Sequence, residues 1–302
     1  MQQYPLISIC IPTYNRAPYL DQCLQSITQQ FCDEDVSRSV EISLSDNASD
    51  DNTRSVVKKY AKYPNFKYSR NDSNIGFDRN MLKAVGNAGG EYCLLMGDDD
   101  ILVADSLKYL IGCIREHADV DYFIFNSRPY SNERAATNFR FIDPGRTGFK
   151  ELKDFLLNLR GMESVVDCFG RMSQHLFKKK IWDDFKDKDK YLDTGAVHAW
   201  ILMNTMRNAS FFYIDKVIIR NSLSTIRWNT FPGYDNAIKI TRITRNGYLS
   251  IARIFGLRDR YFPVTAYFYK LMLVNIVRSY IAKFRIFMSP LKKMVMRLLS
   301  AK

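Results

Sequence analysis

Between residues 6 and 125 the chain alternates short β-rich runs with amphipathic helical stretches, and this rhythm constrains its fold more than any other feature. Strand-like runs at 7–11, 41–44, 66–69, 92–96 and 120–125 are separated by helical patterns at 19–30, 53–62, 77–87 and 106–117. Alternation at this pitch builds βαβ units, and the nearly continuous apolar character of the strands fits burial on both faces. The expectation is an α/β fold: a mostly parallel sheet flanked by helices. With 302 residues, 46% of them hydrophobic, the chain can build a real core, which excludes disorder, collagen and small disulfide scaffolds.

After Asn126 the rhythm breaks. The pattern gives a polar loop over 127–146, a helix at 149–159, and a stretch rich in Gly, Ser and basic residues at 169–177. A helix at 196–207 and a strand at 211–219 follow, so this half reads as a substrate wall over the sheet. From 236 onward helices are expected, interrupted at Pro263 and Pro290. The division is accordingly 1–220 for a catalytic domain and 221–302 for a basic helical region. Charge makes that division sharp. Residues 1–215 hold 27 Lys and Arg against 30 Asp and Glu, net −3, whereas 216–302 hold 17 against 2, net +15. A segregated basic region implies a local anionic partner. Six cysteines without a C-x-x-C pair and the lack of a leader pattern point to reduced thiols and a cytoplasmic setting. No apolar run approaches the roughly 20 residues that span a bilayer.

The sharpest chemical signal is Gly97-Asp98-Asp99-Asp100, directly after the apolar run 92–96. Three successive carboxylates at the C-terminal end of a parallel strand repel one another unless a cation is present, and open α/β sheets bind ligands at that edge. A hard divalent cation, Mn²⁺ or Mg²⁺, holding a diphosphate suits oxygen donors of this kind. The alternative is a solvated acidic turn before the next helix. Two further loops end at the same edge: Pro12-Thr13-Tyr14-Asn15-Arg16 after the first strand and Ser45 to Asp51 after the second. Tyr14 can stack on a base, Asp46 can accept from a base N–H or ribose hydroxyl, and Arg16 can meet phosphate. For Asn47 and Ser49, turn chemistry serves equally well.

ISICIPTYNR (7–16), SLSDNASDD (43–51), NDSNIGFDRNMLKAVGNAGGEYCLLMGDDDIL (71–102) and, more weakly, GRMSQHLFKKKIW (170–182) together resemble the family 2 glycosyltransferases of GT-A fold. Within that family the resemblance is specifically to the bacterial O-antigen and capsule branch, of abequosyltransferase type. That resemblance implies nucleotide-sugar contacts at Pro12, Thr13, Tyr14, Arg16 and Asp46, with Asn74 and Gly76 near the nucleotide, Arg79 facing the donor and Asp98 beside it. The family's strand-end signature commonly reads Asp-x-Asp-Asp, and here its first position is Gly97. The metal role therefore falls first on Asp99, with Asp98 and Asp100 as further metal ligands or, for Asp100, a catalytic group. The family's Glu-Asp pair, whose Asp is the general base, has no clear match. Asp193 and His198 are the two candidates, and the sequence leaves the choice between them open.

The implied function is metal-dependent, inverting transfer of a sugar from a nucleotide diphosphate sugar to a hydroxyl of a lipid-linked surface polysaccharide. A sugar-nucleotide nucleotidyltransferase is the enzymatic alternative, and a non-catalytic basic module for membrane or nucleic acid is the other. Between 264 and 288, Tyr269, Leu273, Ile276, Tyr280, Phe284 and Phe287 fall on one helical face at spacings of three and four, beside Lys270, Arg278, Lys283 and Arg285. After Pro290 a shorter helix repeats the scheme. Apolar stripes flanked by cations suit an anionic membrane surface. Packing on protein, including a homo-oligomer contact, is the alternative. Nucleic acid is disfavoured, because the aromatics line up in one stripe instead of interleaving with the cations. Peripheral attachment to the inner face of a bacterial cytoplasmic membrane follows as the expected location.

Overall fold

A computed structural model describes residues 5–130, 170–193, 195–206 and 209–222, together with 148, 154, 155 and 158. All of these lie in the compact unit Met1–Ile226. The helix expected at 149–159, most of the loop at 127–146 and the basic helices beyond 222 lie outside the described residues, apart from single positions.

Among the described residues eight strands form one sheet in the order β3-β2-β1-β4-β7-β6-β8-β5. They are β1 (Ile7–Thr13), β2 (Val40–Asp46), β3 (Phe66–Arg70), β4 (Tyr92–Leu95), β5 (Ile101–Leu102), β6 (Tyr122–Tyr130), β7 (His175–Lys178) and β8 (Phe211–Ser222). The β3-β2-β1-β4 half is parallel throughout, with Ile7 opposite Val40 and Tyr92. Beyond it β7 is antiparallel to both β4 and β6, β6 and β8 run parallel, and β5 closes the edge antiparallel to β8. Every residue of β1 and β2 is buried, as strands covered on both faces should be.

Among the described residues the continuous α-helices are α1 (Ala17–Thr28), α2 (Glu34–Ser39), α3 (Thr53–Tyr60), α4 (Phe77–Gly86), α5 (Ser106–Glu116), α6 (Lys179–Asp184) and α7 (Val197–Thr205). Leu20, Leu24 and Ile27 recur at helical spacing on α1. With Val56 and Val57 of α3 and Leu107, Leu110 and Ile114 of α5, they form one core over Ile7, Ile9, Ile42 and Leu44. Met81, Ala84 and Val85 of α4 are fully buried outside that cluster, and the Ser43 hydroxyl donates to the Ala84 carbonyl at 2.7 Å. They cover the opposite face of β1 and β2, where alternate residues of the strands point. Gly90 permits the closest strand approach: a Cβ there would meet Ser8 Oγ at 2.6 Å and Ser8 N at 2.8 Å.

The structure departs from the sequence pattern in the second half. β6 continues through Tyr130 where a loop was expected from 127, because β8 supplies parallel ladder partners from Tyr122 to Tyr130. Ser127, polar and unpromising as a strand residue, is fully buried and accepts from the Gln174 amide. Within 169–177, β7 sits in the middle of the sheet, its pairing partners remote in sequence. α2 escapes periodicity because Val36 alone is buried. It is fixed instead by Asp33, whose side chain accepts from the backbone N–H groups of Asp35 and Val36. Cys10, Cys23, Cys93 and Cys113 are buried free thiols, and Cys32 is an exposed one.

Candidate active site

The C-terminal ends of β1, β2 and β4 bring the three polar loops to one edge. Thr13 closes β1, and its hydroxyl donates to Asp98 Oδ2 at 2.8 Å. Arg16, just before α1, spans two carboxylates: Nε lies 3.0 Å from Asp98 Oδ1 and Nη2 2.6 Å from Asp99 Oδ2. Asp100 is held from the far half of the sheet. Its Oδ2 accepts from the Ser173 hydroxyl and, at 3.1 Å, from Asn221 Nδ2, while Oδ1 accepts from the Ser222 N–H at 3.1 Å. The Gly97 N–H donates to Ser173 Oγ at 2.9 Å, so one serine fastens both ends of the turn.

Burial decides the electrostatics. Asp98 is pushed up to about 7 by burial, with repulsion from Asp99 and Asp100 adding to it and Arg16 and Thr13 opposing it. Asp100 is likewise pushed up to about 7, by burial first and Asp99 second, against its three hydrogen-bond donors. Asp99 is the most accessible of the three, its side chain 18% exposed. The substitution of glycine for the family's first Asp has a steric correlate, because a Cβ on Gly97 would sit 3.1 Å from the carboxylates of both Asp99 and Asp100.

Among the described residues no group of three or more His, Cys, Asp or Glu side chains is disposed to hold a metal ion. The three-carboxylate set expected from the sequence is therefore not assembled around one point. All three face protein donors, and Asp99, paired with Arg16, is the least buried of them. Oxygen donors with one half-buried carboxylate still fit a hard divalent cation, which usually takes one or two protein carboxylates and completes its shell with substrate phosphates.

The β2 loop is more tightly built than turn chemistry requires. Asp46 is fully buried, accepting from the Ser49 N–H at 2.9 Å and the Tyr68 hydroxyl at 2.8 Å, with Arg70 Nε at 3.5 Å. Asn47 donates to Asn74 Oδ1 at 2.7 Å and accepts from the Ile75 N–H at 2.9 Å. Asn74 also accepts from the Gly76 N–H, where the backbone takes a left-handed φ of 85° that glycine tolerates. Pro12 is buried within β1, and Tyr14 is 42% exposed at the mouth.

The two base candidates have opposite environments. Asp193 is exposed and paired with Arg79, Oδ1 to Nη1 at 2.7 Å. His198 is 4% exposed on α7, its Nε2 lies 3.4 Å from the Gly170 carbonyl, and its Nδ1 is buried without a hydrogen-bond partner. Burial pulls its pKa down to about 4. The structure thus brings Arg79, which the resemblance turned toward the donor, onto Asp193. Sequence reasoning missed Ser173, Asn221, Ser222 and Asp78. Ser173 lies inside the weakly matching 170–182 motif and Asp78 inside the 71–102 motif, where neither was singled out, and Asn221 and Ser222 carry no local signal.

Comparison with known proteins adds to this geometry. The model of the family described as Glycosyl transferase family 2 matches residues 8–179. The abequosyltransferase RfbV of Salmonella typhimurium is 34% identical over 230 residues, which cover 71% of this chain and 66% of that one. Among solved structures, S. aureus TarS 1–349 in complex with UDP-GlcNAc aligns with a TM-score of 0.63 at 20% identity, over 83% of this chain and 70% of that one. The mannosyltransferase PcManGT of Pyrobaculum calidifontis, in complex with GDP-Man and Mn²⁺, aligns with a TM-score of 0.57 at 15% identity, over 93% and 76%. At such identities the two structures speak for the fold, and the GT-A architecture expected from the sequence is borne out.

Proposed function

The chain belongs to glycosyl transferase family 2, and from that premise we propose that it is a metal-dependent, inverting glycosyltransferase. It moves a hexose or deoxyhexose from a nucleotide diphosphate sugar to a hydroxyl of a lipid-linked O-antigen or capsule glycan. The observation that carries this reading is Arg16 spanning Asp98 and Asp99 at the ligand-binding edge of the sheet. A cation site and a phosphate-seeking guanidinium meet there, which is what departure of a diphosphate demands. The donor ligands in the TarS and PcManGT structures support a nucleotide sugar, and the Mn²⁺ of PcManGT supports a divalent cation.

In this reading Tyr14 stacks on the base and the Asp46 loop shapes the nucleoside pocket. Arg16 meets the negative charge growing on the leaving diphosphate. Asp99 is the residue that would hold Mn²⁺ or Mg²⁺, which when bound supplies Lewis-acid neutralisation of that charge. Asp193 takes the proton of the acceptor hydroxyl as its oxygen attacks the anomeric carbon and the bond to diphosphate breaks. We assign the base to Asp193 over His198 because the carboxylate is exposed and the imidazole is enclosed. The basic region 221–302 attaches the enzyme peripherally to the inner face of the cytoplasmic membrane, beside its acceptor. Among the described residues no helix is long and apolar enough to cross a membrane.

The test is thermal stabilisation by UDP, GDP, CDP and dTDP with and without Mn²⁺, since a ligand at 100 times its Kd stabilises by about 2.7 kcal/mol. A Mn²⁺-dependent gain with one nucleotide is the expected result, and indifference to all four overturns the reading. For the membrane, deletion of 290–302 should weaken salt-sensitive binding to anionic vesicles while sparing nucleotide binding. Equal pelleting of both forms, or of neither, counts against attachment.

A further inference from the structure

Helix α7 begins without a cap of its own. Its N-cap residue is Ala196, which has no side-chain acceptor, so the first N–H groups need a partner from elsewhere. That partner is Asp78, on the first turn of α4. Its Oδ2 accepts from the Gly195 N–H at 2.9 Å and its Oδ1 from the Val197 N–H at 3.3 Å. Asp78 is 3% exposed, a buried acid in a family of contacts that the mechanism above does not use. One carboxylate therefore serves two helix N-termini, favourably placed for both dipoles.

The neighbouring contacts converge on the same segment. Arg79, next on α4, holds the Asp193 carboxylate at 2.7 Å. On the other side Tyr191 stacks on Trp200 of α7, centroids 4.8 Å apart and planes within 5°. Between these tethers the backbone takes left-handed φ values of 62° at Asp193 and 69° at Gly195. For a non-glycine residue such a conformation costs free energy and persists where surrounding contacts impose it.

We infer that Asp78 is a positioning residue: by capping α7 from α4 it fixes the turn that presents Asp193, and so ties the acceptor-activating carboxylate to the helix that borders the nucleotide loops. The inference rests on the reading of Asp193 as the base. Asp78 touches no reacting atom; it acts through the Gly195 and Val197 amides. Replacement by Asn removes the charge and turns an amide N–H₂ toward one of two backbone donors.

The experiment compares wild type, Asp78→Asn and the double variant Asp78→Asn/Ala196→Asp, which gives α7 a local cap without the link to α4. Turnover is read as release of nucleoside diphosphate from UDP-, GDP-, CDP- and dTDP-sugars, with water as acceptor. Binding of the free diphosphates and the thermal midpoint are measured in parallel. We expect Asp78→Asn to lose at least tenfold in kcat with diphosphate binding within twofold of wild type. The double variant should regain the midpoint but not the rate. Unchanged kcat in Asp78→Asn overturns the role. So does recovery of both midpoint and rate in the double variant, which reduces Asp78 to a cap, and so does loss of diphosphate binding. A wild type that releases no diphosphate from any of the four donors overturns the transferase reading itself, so the two failures are distinguishable.

Discussion

The acidic turn at 98–100 and the segment carrying Asp193 solve opposite problems. At the turn, like charges are packed into a buried edge, and Thr13, Arg16, Ser173, Asn221 and Ser222 restrain them one by one. At Asp193 a single exposed carboxylate is steered from outside by Arg79 and, through the backbone, by Asp78. In the proposed reading, the first arrangement holds negative potential for a cation, with Arg16 to meet the diphosphate, and the second keeps a carboxylate accessible to an arriving hydroxyl. Burial suits a charge whose partner is a ligand, and exposure suits a charge that must exchange protons.

The comparison breaks most visibly at Asp99. Asp99→Asn should lower transfer by more than three orders of magnitude, about 4 kcal/mol in transition-state stabilisation. It should also abolish the Mn²⁺-dependent gain in nucleotide binding while leaving the thermal midpoint near wild type, since Asp99 is the least buried of the three. Activity that persists in chelator removes the cation from the account.

Asp193→Asn should reduce turnover by about 10³-fold, within the range of general-base contributions, with nucleotide binding intact. His198→Gln should leave turnover at neutral pH within threefold. Near-wild-type rates in both variants would place the base elsewhere.

His198 should instead make the fold acid-labile. Its pKa is lowered by burial, from 6.5 to about 4, so the native state binds fewer protons than the unfolded chain between those values. Stability is fully present above pH 6.5 and declines as pH falls toward 4, by on the order of 3 kcal/mol. His198→Gln should flatten that decline in urea titrations run from pH 7 to 4; an unaltered slope removes His198 as its source.

The smallest effect is expected at Thr13. Thr13→Val deletes one hydrogen bond to a buried carboxylate and should cost about 1–2 kcal/mol, read as a lower urea midpoint. The loss should shrink below pH 7, where Asp98, pushed up to about 7, takes up a proton. A loss independent of pH would mean that Thr13 matters through packing and not through Asp98.

What the sequence determined by itself is the parallel half of the sheet and the loops at its edge. β1 to β4 and the helices α1, α3 and α4 between them are fixed by hydrophobic period, and the C-terminal strand ends follow from the chain direction. Thr13, Arg16, Asp98 and Asp99 could thus be placed on one edge from order alone. The resemblance carried by 7–16, 43–51 and 71–102 added the chemistry. Tertiary structure decided the rest. β7 enters the centre of the sheet between strands whose paired residues lie 82–86 and 51–55 positions away in the chain, and Asp78 meets the start of α7 across 117 to 119 positions. Neither event leaves a local period to read. The fates of His198 and Asp193 were likewise settled by packing, because a side chain's exposure depends on what folds over it and no spacing records that. Gly97 shows both sources at once: the residue departs from the family's motif in the sequence, and only the folded turn reveals two carboxylates standing where a Cβ would crowd them.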